Sequence, residues 1–404
     1  MMRPSDSWPE ISWSDFIKTR PEFSNIELNR IPIAASALRS GVACTLSRRF
    51  AHGSAHAVFE IVFDDGCVWM CRVRHRDPDE SPQYLRMMMD STVAAIRYVQ
   101  QYTNVPAPTV YHYQSDPSIN GVGSSHMFME AIPGRKRDLP KEKIDPIGLQ
   151  TMYNQIADSA VQMARLNFPK IGRIYQLSDG QYEVGPFINP DGSTYGPFST
   201  SGEYYAYVAE KNTKTFATAH QTRSEKVRNE FATHLYHTAA SKLLLGNHGP
   251  FGLCHGDYGV HNLLFDEKLA MTGVLDWESA QSAPALGCCD WPAMVQVRWP
   301  RYKHYWPGVL EKILDRQRMY HEGVVIAERK WQIDTAKFDG QLMSDVVGSD
   351  AAIVAQIIQI LACDPSYKDY DGKKVFEFLF GDGKFDEAQE CFGQAREKSS
   401  VASS

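Results

Sequence analysis

Five short segments in the first third of the chain are dominated by apolar and β-branched residues, and they predict strands. They are residues 44–50, 57–63, 67–74, 109–113 and 125–131. Asp64-Asp65-Gly66, between the second and third segments, predicts a tight turn. Between the third and fourth segments, apolar residues recur at helical spacing from Leu85 to Val99 and predict one amphipathic helix. The expected outline is a five-stranded antiparallel sheet with one helix.

The apolar pattern beyond residue 134 is mostly helical. Residues 147–166, 225–245 and 351–363 predict helices, whereas a stretch rich in Gly, Pro, Ser and Tyr at residues 179–205 predicts a long loop. Pro133-Gly134 breaks the chain between the two patterns. We therefore predict an α+β protein with two lobes. The predicted divisions are an N-terminal extension (1–41), a small N-terminal lobe (42–133), a larger, mostly helical C-terminal lobe (134–396) and a disordered tail (397–404).

Composition and charge narrow the classes of function. The 404 residues, 43% of them hydrophobic, suit a globular protein of about two domains. A net charge of -6 argues against nucleic acid or an anionic membrane as partner. Residues 351–363 are too short to cross a bilayer, and residues 1–10 do not resemble a secretory signal. Eight cysteines without a CxxC pair are expected to be free thiols of a cytoplasmic protein.

The segment 253–278 carries the most informative chemistry. His255, Asp257 and Asn262 fall in a predicted loop, and a predicted pair of strands then brings Asp276 next to that loop. Phosphoryl transfer needs a carboxylate for the acceptor hydroxyl, and amide and carboxylate oxygens to hold Mg²⁺ on the nucleotide phosphates. The protein-kinase loop H-R-D-x-x-x-x-N followed by D-F-G has the same Asp-to-Asn spacing. Asp276-Trp277-Glu278 stands in the place of D-F-G.

With these residues in view, the chain resembles the aminoglycoside phosphotransferase-type small-molecule kinases, which share the protein-kinase fold. The resemblance covers about residues 42–300 and includes three further segments in the family's order. They are Trp69-Met-Cys-Arg-Val-Arg74, Val93 to Pro108, and Phe128-Met-Glu-Ala-Ile-Pro-Gly134. In overall character the chain resembles the fungal members of this family.

The resemblance implies a role for each matching residue in moving the γ-phosphoryl of ATP to a hydroxyl of a small molecule. Asp257, with His255 beside it, would be the catalytic residue, and Asn262 and Asp276 would bind Mg²⁺. Arg72 would contact the α/β phosphates, as suits a guanidinium. The remaining implied residues are Gly53 and Ser54 in the phosphate-covering turn, Met129, Glu130 and Ala131 in the adenine-reading hinge, and Asp290 as a brace for the catalytic loop.

Two departures from the pattern keep an alternative open. Kinases pair the base of the third strand with a Glu on the following helix, but Thr92 stands at that position here. Asp90 lies two residues earlier, about 200° around a helix. The turn around Gly53 also has a single glycine. The alternative is an inactive pseudokinase that binds a nucleotide or a partner, and a metal-dependent hydrolase using His255, Asp257 and Asp276 ranks third.

The acceptor is expected to be a hydroxylated small molecule bound by residues 175–220 and 295–345. Aromatic residues between positions 195 and 207 could line its pocket, but local packing is the favoured interpretation. The histidine pairs His52 with His56 and His234 with His237 are interpreted as solvated or core residues, because nothing nearby completes a metal site.

Overall fold

The computed structural model describes most of the chain and divides it into two compact units. The described residues are 8–75, 77–119, 121–139, 142–217, 223–295, 308–363, 368–381 and 383–402. The first unit contains the described residues up to Gln162 together with Gly172–Pro197 and His255–Gln281. The second contains Met163–Ile171, Phe198–Cys254 and the described residues from Ser282 onward. Segment 255–281 thus groups with the N-terminal sheet. The predicted lobe boundary at residue 133 stays a prediction.

The helices and strands alternate in the first part of the chain, and helices dominate the last part. The helices are α1 (Trp13–Thr19), α2 (Arg30–Leu38), α3 (Pro82–Tyr102), α4 (Pro146–Ala164), α5 (Ser201–Ala217), α6 (Arg223–Ala240), α7 (Ala285–Cys288), α8 (Val309–Trp331), α9 (Met343–Val346), α10 (Asp350–Cys363), α11 (Lys368–Phe380) and α12 (Phe385–Ala402). The strands are β1 (Cys44–His52), β2 (His56–Phe63), β3 (Val68–Arg74), β4 (Val110–Gln114), β5 (His126–Glu130), β6 (Arg173–Gln176), β7 (Tyr182–Gly185), β8 (Phe187–Ile188), β9 (Thr194–Tyr195), β10 (Gly252–Cys254), β11 (Leu263–Phe265), β12 (Met271–Val274) and β13 (Gln281–Ala283).

The first unit is built on a five-stranded antiparallel sheet with the strand order β1-β2-β3-β5-β4. All five predicted strands and the predicted helix, α3, are confirmed. The turn between β2 and β3 has Gly66 at φ 81, where a side chain would be strained, and its N–H donates to Phe63 O at 2.9 Å. The register places Arg72 on the central strand β3, opposite Val58 and Met127. The α+β fold with an antiparallel N-terminal sheet and a mostly helical C-terminal region is therefore confirmed.

The residues predicted as an N-terminal extension belong to the core of the first unit. Phe16 of α1, Phe23 of the 3₁₀ turn that follows it and Ile31 of α2 are buried in one cluster with sheet residues that include Phe50 and Phe59. The Ser12 side chain accepts a hydrogen bond from Asp15 N at 3.1 Å and so starts α1. The helices α1 and α2 thus complete the apolar core on one face of the sheet.

The predicted loop at 179–205 is only partly irregular. It contains β7, β8, β9 and the start of α5. Thr200 and Glu203 form a capping box, in which Glu203 N donates to Thr200 Oγ1 at 3.1 Å and Thr200 N donates to Glu203 Oε2 at 3.2 Å. Tyr204 and Tyr205 are buried on α5, which agrees with packing rather than pocket lining. The T-x-x-E pattern was present in the sequence and could have located the helix start.

The second unit is mainly helical. Helix α5 packs against α6 and α10, α11 packs against α6, and β10 pairs with β13. Lys337 is buried in this unit, and its ammonium group donates to Ala164 O at 2.7 Å and to Leu166 O. The predicted disordered tail differs from the structure, because α12 continues to Ala402. In the part of the chain that the structure describes, no helix has the length and apolar character needed to cross a membrane.

We expect Phe23→Ala to destabilise the protein by about 3–5 kcal/mol, because it removes a fully buried aromatic side chain from the core beneath the N-terminal helices. Urea unfolding followed by circular dichroism measures the change. Ile33→Ala, in exposed surface of α2, is the matched control and should stay within about 0.5 kcal/mol of wild type. Equal losses for both variants would contradict the assignment of the N-terminal segment to the core.

Candidate active site

The backbone of segment 255–265 forms a compact loop followed by a hairpin. Gly256 has φ 80, and a Cβ atom there would lie 2.4 Å from Ser279 O, so this position needs glycine. A 3₁₀ turn at Val260–Asn262 leads into β11, which pairs with β12. Leu275 N donates to Asn262 O at 2.8 Å. This bond fixes the segment that follows β12 beside the loop, as the sequence predicted.

Asp257 and Asn262 are joined directly. The Asn262 side-chain amide donates to the backbone oxygen of Asp257 and to its Oδ2, both at 3.0 Å. Asp257 also accepts a bond from His261 Nε2 at 3.1 Å through Oδ1. The bond from His261 is the main reason why the pKa of Asp257 is lowered. The carboxylate itself is half-exposed. The carboxylate is therefore ionised at neutral pH and held in a fixed orientation.

His255 is buried, and both of its ring nitrogens have partners inside the loop. Nε2 donates to Leu275 O at 2.9 Å, and Nδ1 accepts from Asp257 N at 3.3 Å. Burial lowers the pKa of His255 to about 4, so the ring is neutral at pH 7. A neutral ring with both nitrogens occupied orients the backbone around Asp257. We therefore interpret His255 as a positioning residue rather than the catalytic one suggested by the sequence.

Asp276 occupies a backbone conformation that is rare outside glycine. Its φ is 65 and its ψ is 59, in the left-handed region that Asp tolerates better than most residues. The next residue, Trp277, is buried, and its Nε1 donates to Val274 O at 2.8 Å. The Asp276 carboxylate remains partly exposed and accepts a bond from Arg72 Nη2 at 2.6 Å. Strained backbone of this kind is common at functional sites.

Arg72 and Arg74 of β3 meet an ion cluster that includes a second carboxylate, Glu278. Arg72 Nη2 lies 3.0 Å from Glu278 Oε2, and Arg74 Nη1 donates to Glu278 Oε1. Burial alone would raise the pKa of Glu278, but the charges of Arg72 and Arg74 outweigh it, and the pKa is lowered to about 2. Arg74 is also paired with Glu80. The sequence interpretation had left Glu278 open between a salt bridge and a metal or acceptor role.

His56 belongs to this cluster, although the sequence analysis interpreted it as a solvated or core residue. Arg72 Nη2 donates to His56 Nδ1 at 3.1 Å, because a guanidinium has no acceptor. The proton of the ring is then on Nε2, which lies 3.5 Å from Glu278 Oε2. Burial, together with the charge of Arg72, lowers the pKa of His56 well below 6.5. His56 is therefore a neutral bridge between the guanidinium and the carboxylate.

Of the three residues predicted to form the hinge, two lie within strand β5 and one follows it. Met129 lies inside the sheet with a partner strand on each side. Glu130 N donates to Thr109 O at 2.8 Å, and the Glu130 carboxylate accepts a bond from Thr109 N at 3.1 Å. These groups of Met129 and Glu130 form contacts within the sheet. Ala131 is the first of the three residues that lies beyond the strand.

The turn between β1 and β2 is exposed, and it is anchored from the N-terminal segment. Gly53 N donates to His56 O at 2.8 Å, and Arg20 Nη2 donates to Ser54 O at 2.8 Å. Gly53 has open space where a Cβ would be and has no positive φ. No steric requirement for glycine exists at this position, and the role of the turn in covering phosphates stays a prediction.

Two further residues, Lys136 and Asp290, complete the description of the predicted site. Lys136 was not singled out from the sequence, yet it lies near Asp276 and Asp257. Burial lowers its pKa, and the charges of the two carboxylates act in the opposite direction. Asp290 belongs to the second unit, where burial raises its pKa well above 3.8. Its role as a brace stays a prediction.

The loop with Asp257 and Asn262, followed by Asp276, has the spacing that is typical of kinase-type phosphotransferases. Comparison with known proteins then gives the family: residues 47–286 match the family model APH, the phosphotransferase enzyme family. This match covers more than half of the chain, and the chain therefore belongs to that family. No curated protein matches the sequence.

Solved structures found to be similar include two phosphotransferases. A macrolide 2'-phosphotransferase from Brachybacterium faecium is 12% identical, with a TM-score of 0.47, and the match covers 86% of this chain and 97% of that one. A thermostable mutant of the aminoglycoside phosphotransferase APH(4)-Ia is 14% identical, with a TM-score of 0.45 and coverage of 87% and 100%. At these values the family assignment rests on the family model alone. The resemblance to fungal members stays a prediction.

The buried His255 makes stability depend on pH. Its pKa of about 4 in the folded state lies below the value of about 6.5 expected after unfolding. The unfolded state therefore binds more protons in this window, and stability falls as the pH decreases from 6.5 toward 4, by up to about 3 kcal/mol from this group. Urea unfolding at several pH values should show this loss. His255→Gln should be less stable at pH 7 but lose less on acidification, and an unchanged pH slope in the variant would contradict the assignment.

Proposed function

We propose that this protein transfers the γ-phosphoryl group of ATP to a hydroxyl group of a small molecule. The observation that carries the proposal is the joined arrangement of Asp257, Asn262, Asp276 and Arg72. Asn262 is bonded to Asp257 through its side chain and to Leu275 through its backbone, and the next residue, Asp276, is bonded to Arg72. Phosphoryl transfer depends on positioning and on neutralising charge rather than on covalent chemistry, and these four residues supply both.

Asp257 is proposed to be the catalytic residue. Its carboxylate is half-exposed, ionised and oriented by two side chains, His261 and Asn262. In this role it accepts a hydrogen bond from the acceptor hydroxyl, directs the oxygen toward the phosphorus and takes the proton as the bond forms.

Asn262 and Asp276 are proposed to hold Mg²⁺. The Asn262 amide nitrogen faces Asp257, so the amide oxygen is the atom that can bind a cation. Carboxylate and amide oxygens are the ligands that Mg²⁺ prefers, and it commonly takes only one or two of them, completing its shell with waters and substrate phosphates. The bound cation would neutralise charge on the phosphates.

Arg72 is proposed to contact the α/β phosphates. Within the described residues its contacts to His56, Asp276 and Glu278 all use Nη2. The other N–H groups of the guanidinium are then directed elsewhere and can donate to phosphate oxygens. Gly53 and Ser54 would cover the phosphates, and the backbone at Ala131 would read the adenine.

The acceptor is proposed to be a hydroxylated small molecule. Its predicted contact regions, residues 175–220 and 295–345, lie only partly within the described residues, because 218–222 and 296–307 fall outside them. The metal-dependent hydrolase alternative needs His255 as a ligand. It loses support because both nitrogens of that ring are already bonded.

We expect ATP to raise the melting temperature only when Mg²⁺ is present. A ligand at 100 times its Kd stabilises a protein by about 2.7 kcal/mol, or about 5–11 °C for a large domain. Asp276→Asn should lose the Mg²⁺-dependent part of the shift. Asp266→Asn, in the turn of the same hairpin, is the control and should keep it. The absence of any shift at millimolar ATP would contradict ATP as the phosphoryl donor.

We expect Asp257→Asn to lower kcat by about 10²–10⁴-fold, because the amide cannot take the proton of the acceptor. Affinity for ATP with Mg²⁺ should change little. Release of ADP in a screen of hydroxylated small molecules measures turnover, with Asp266→Asn as the control. A pseudokinase, the second candidate, would bind ATP but show no turnover with any acceptor and would retain its cellular function after Asp257→Asn.

A further inference from the structure

We propose that Glu278 is the carboxylate that positions Arg72, in place of the helix glutamate that other kinases use. This inference rests on the proposed function, because it concerns the donor side of the same site. Kinases place the base of their third strand by an ion pair with a Glu of the following helix. In this chain the following helix is α3, and the structure shows why it cannot supply that partner.

Helix α3 has no carboxylate facing Arg72. Thr92, at the expected position, is buried, and its hydroxyl donates to Met88 O at 2.7 Å within the same helix. Asp90 is the only acidic residue between Pro82 and Tyr102. Its half-buried carboxyl accepts a hydrogen bond from Tyr113 of β4, and burial raises its pKa. Both candidates that the sequence offered on the helix are therefore engaged elsewhere.

Glu278 meets the requirement that the helix does not. Its Oε2 lies 3.0 Å from Arg72 Nη2, and its side chain is mostly buried, so the pair is shielded from water. A charge pair that is shielded from water holds a guanidinium more firmly than an exposed pair. Arg74 and His56 contact the same carboxylate from β3 and β2. Three side chains of the sheet thus contact the Glu278 carboxylate.

The backbone under Glu278 is also fixed. Arg173 of β6 is buried, and its Nη1 donates to Glu278 O and to Ala280 O, the latter at 3.3 Å. Helix α3 and the 3₁₀ turn Trp277–Ser279 pack against each other. The carboxylate therefore occupies a rigid position next to α3, and it acts on catalysis through Arg72 rather than by touching substrate.

The chain offers a matched control in Glu80. This residue is also an acidic, buried partner of a β3 arginine, but it pairs with Arg74. Glu80→Gln removes a similar ion pair from the same cluster without removing a partner of Arg72. Comparing it with Glu278→Gln separates the positioning of Arg72 from the general loss of a buried charge.

The test is the Kd of a non-hydrolysable ATP analogue with Mg²⁺, measured by calorimetry on the full-length protein. We expect Glu278→Gln to weaken binding at least tenfold and Glu80→Gln to change it less than twofold. The double variant Arg72→Gln/Glu278→Gln should bind no more weakly than Arg72→Gln alone, since Glu278 acts through Arg72. Circular dichroism and melting temperature verify folding of each variant.

Two outcomes would overturn the inference while the proposed function stands. In the first, wild type binds the analogue, and Glu278→Gln and Glu80→Gln change its Kd by the same factor. In the second, the factors by which Arg72→Gln and Glu278→Gln raise the Kd multiply in the double variant. If Glu278→Gln does not fold, Glu278→Asp replaces it, because the shorter side chain keeps the charge but moves it away from Arg72. Binding of the analogue by Glu278→Asp as tightly as by wild type would reject the inference. A wild-type protein that does not bind the analogue with Mg²⁺ contradicts the proposed function instead.

Discussion

The ion cluster around Arg72 is the interaction on which the rest of the site depends. Two arginines of β3 meet the carboxylates of Asp276, which is partly exposed, and Glu278, which is largely shielded from water. A buried charge without a partner destabilises the folded state. Removing one partner of a buried ion pair therefore costs more stability than replacing both partners. The cluster therefore holds only when sheet and hairpin are both in place. The placement of the Arg72 side chain therefore depends on the segment that follows the hairpin, because that segment carries both of its carboxylate partners.

Local patterns in the sequence were enough to predict the sheet, α3 and the Asp-to-Asn loop. The strands follow from β-branched and aromatic runs, and the loop follows from the fixed spacing of Asp257, Asn262 and Asp276. Each of these features depends on residues that are close in the chain. The helices α1 and α2 were missed because they are short and because their apolar side chains, such as Phe16 and Ile31, are buried only by packing against the sheet. Their stability comes from packing rather than propensity.

The partners of Arg72 could not be predicted because they are far away in the sequence. Arg72 and Glu278 are 206 residues apart, and only the folded hairpin brings them within 3.0 Å. His56 was likewise seen from the sequence only as one of a pair of histidines. The burial that lowers the pKa of His56 and keeps its ring neutral is a property of the tertiary structure. The sequence therefore predicts the identity of the reactive groups better than the network that orients them.

The replacement of a helix glutamate by Glu278 changes what can move the arginine. In protein kinases, displacement of the helix separates the ion pair and controls activity. Here both carboxylate partners of Arg72 lie on one short stretch, Asp276 to Glu278, which is fixed by Arg173 and by the buried Trp277. A shift of α3 alone does not remove a partner of Arg72. The missing helix glutamate, which by itself suggested an inactive protein, is then compatible with a donor site whose geometry is set by the segment Asp276 to Glu278 rather than by the helix.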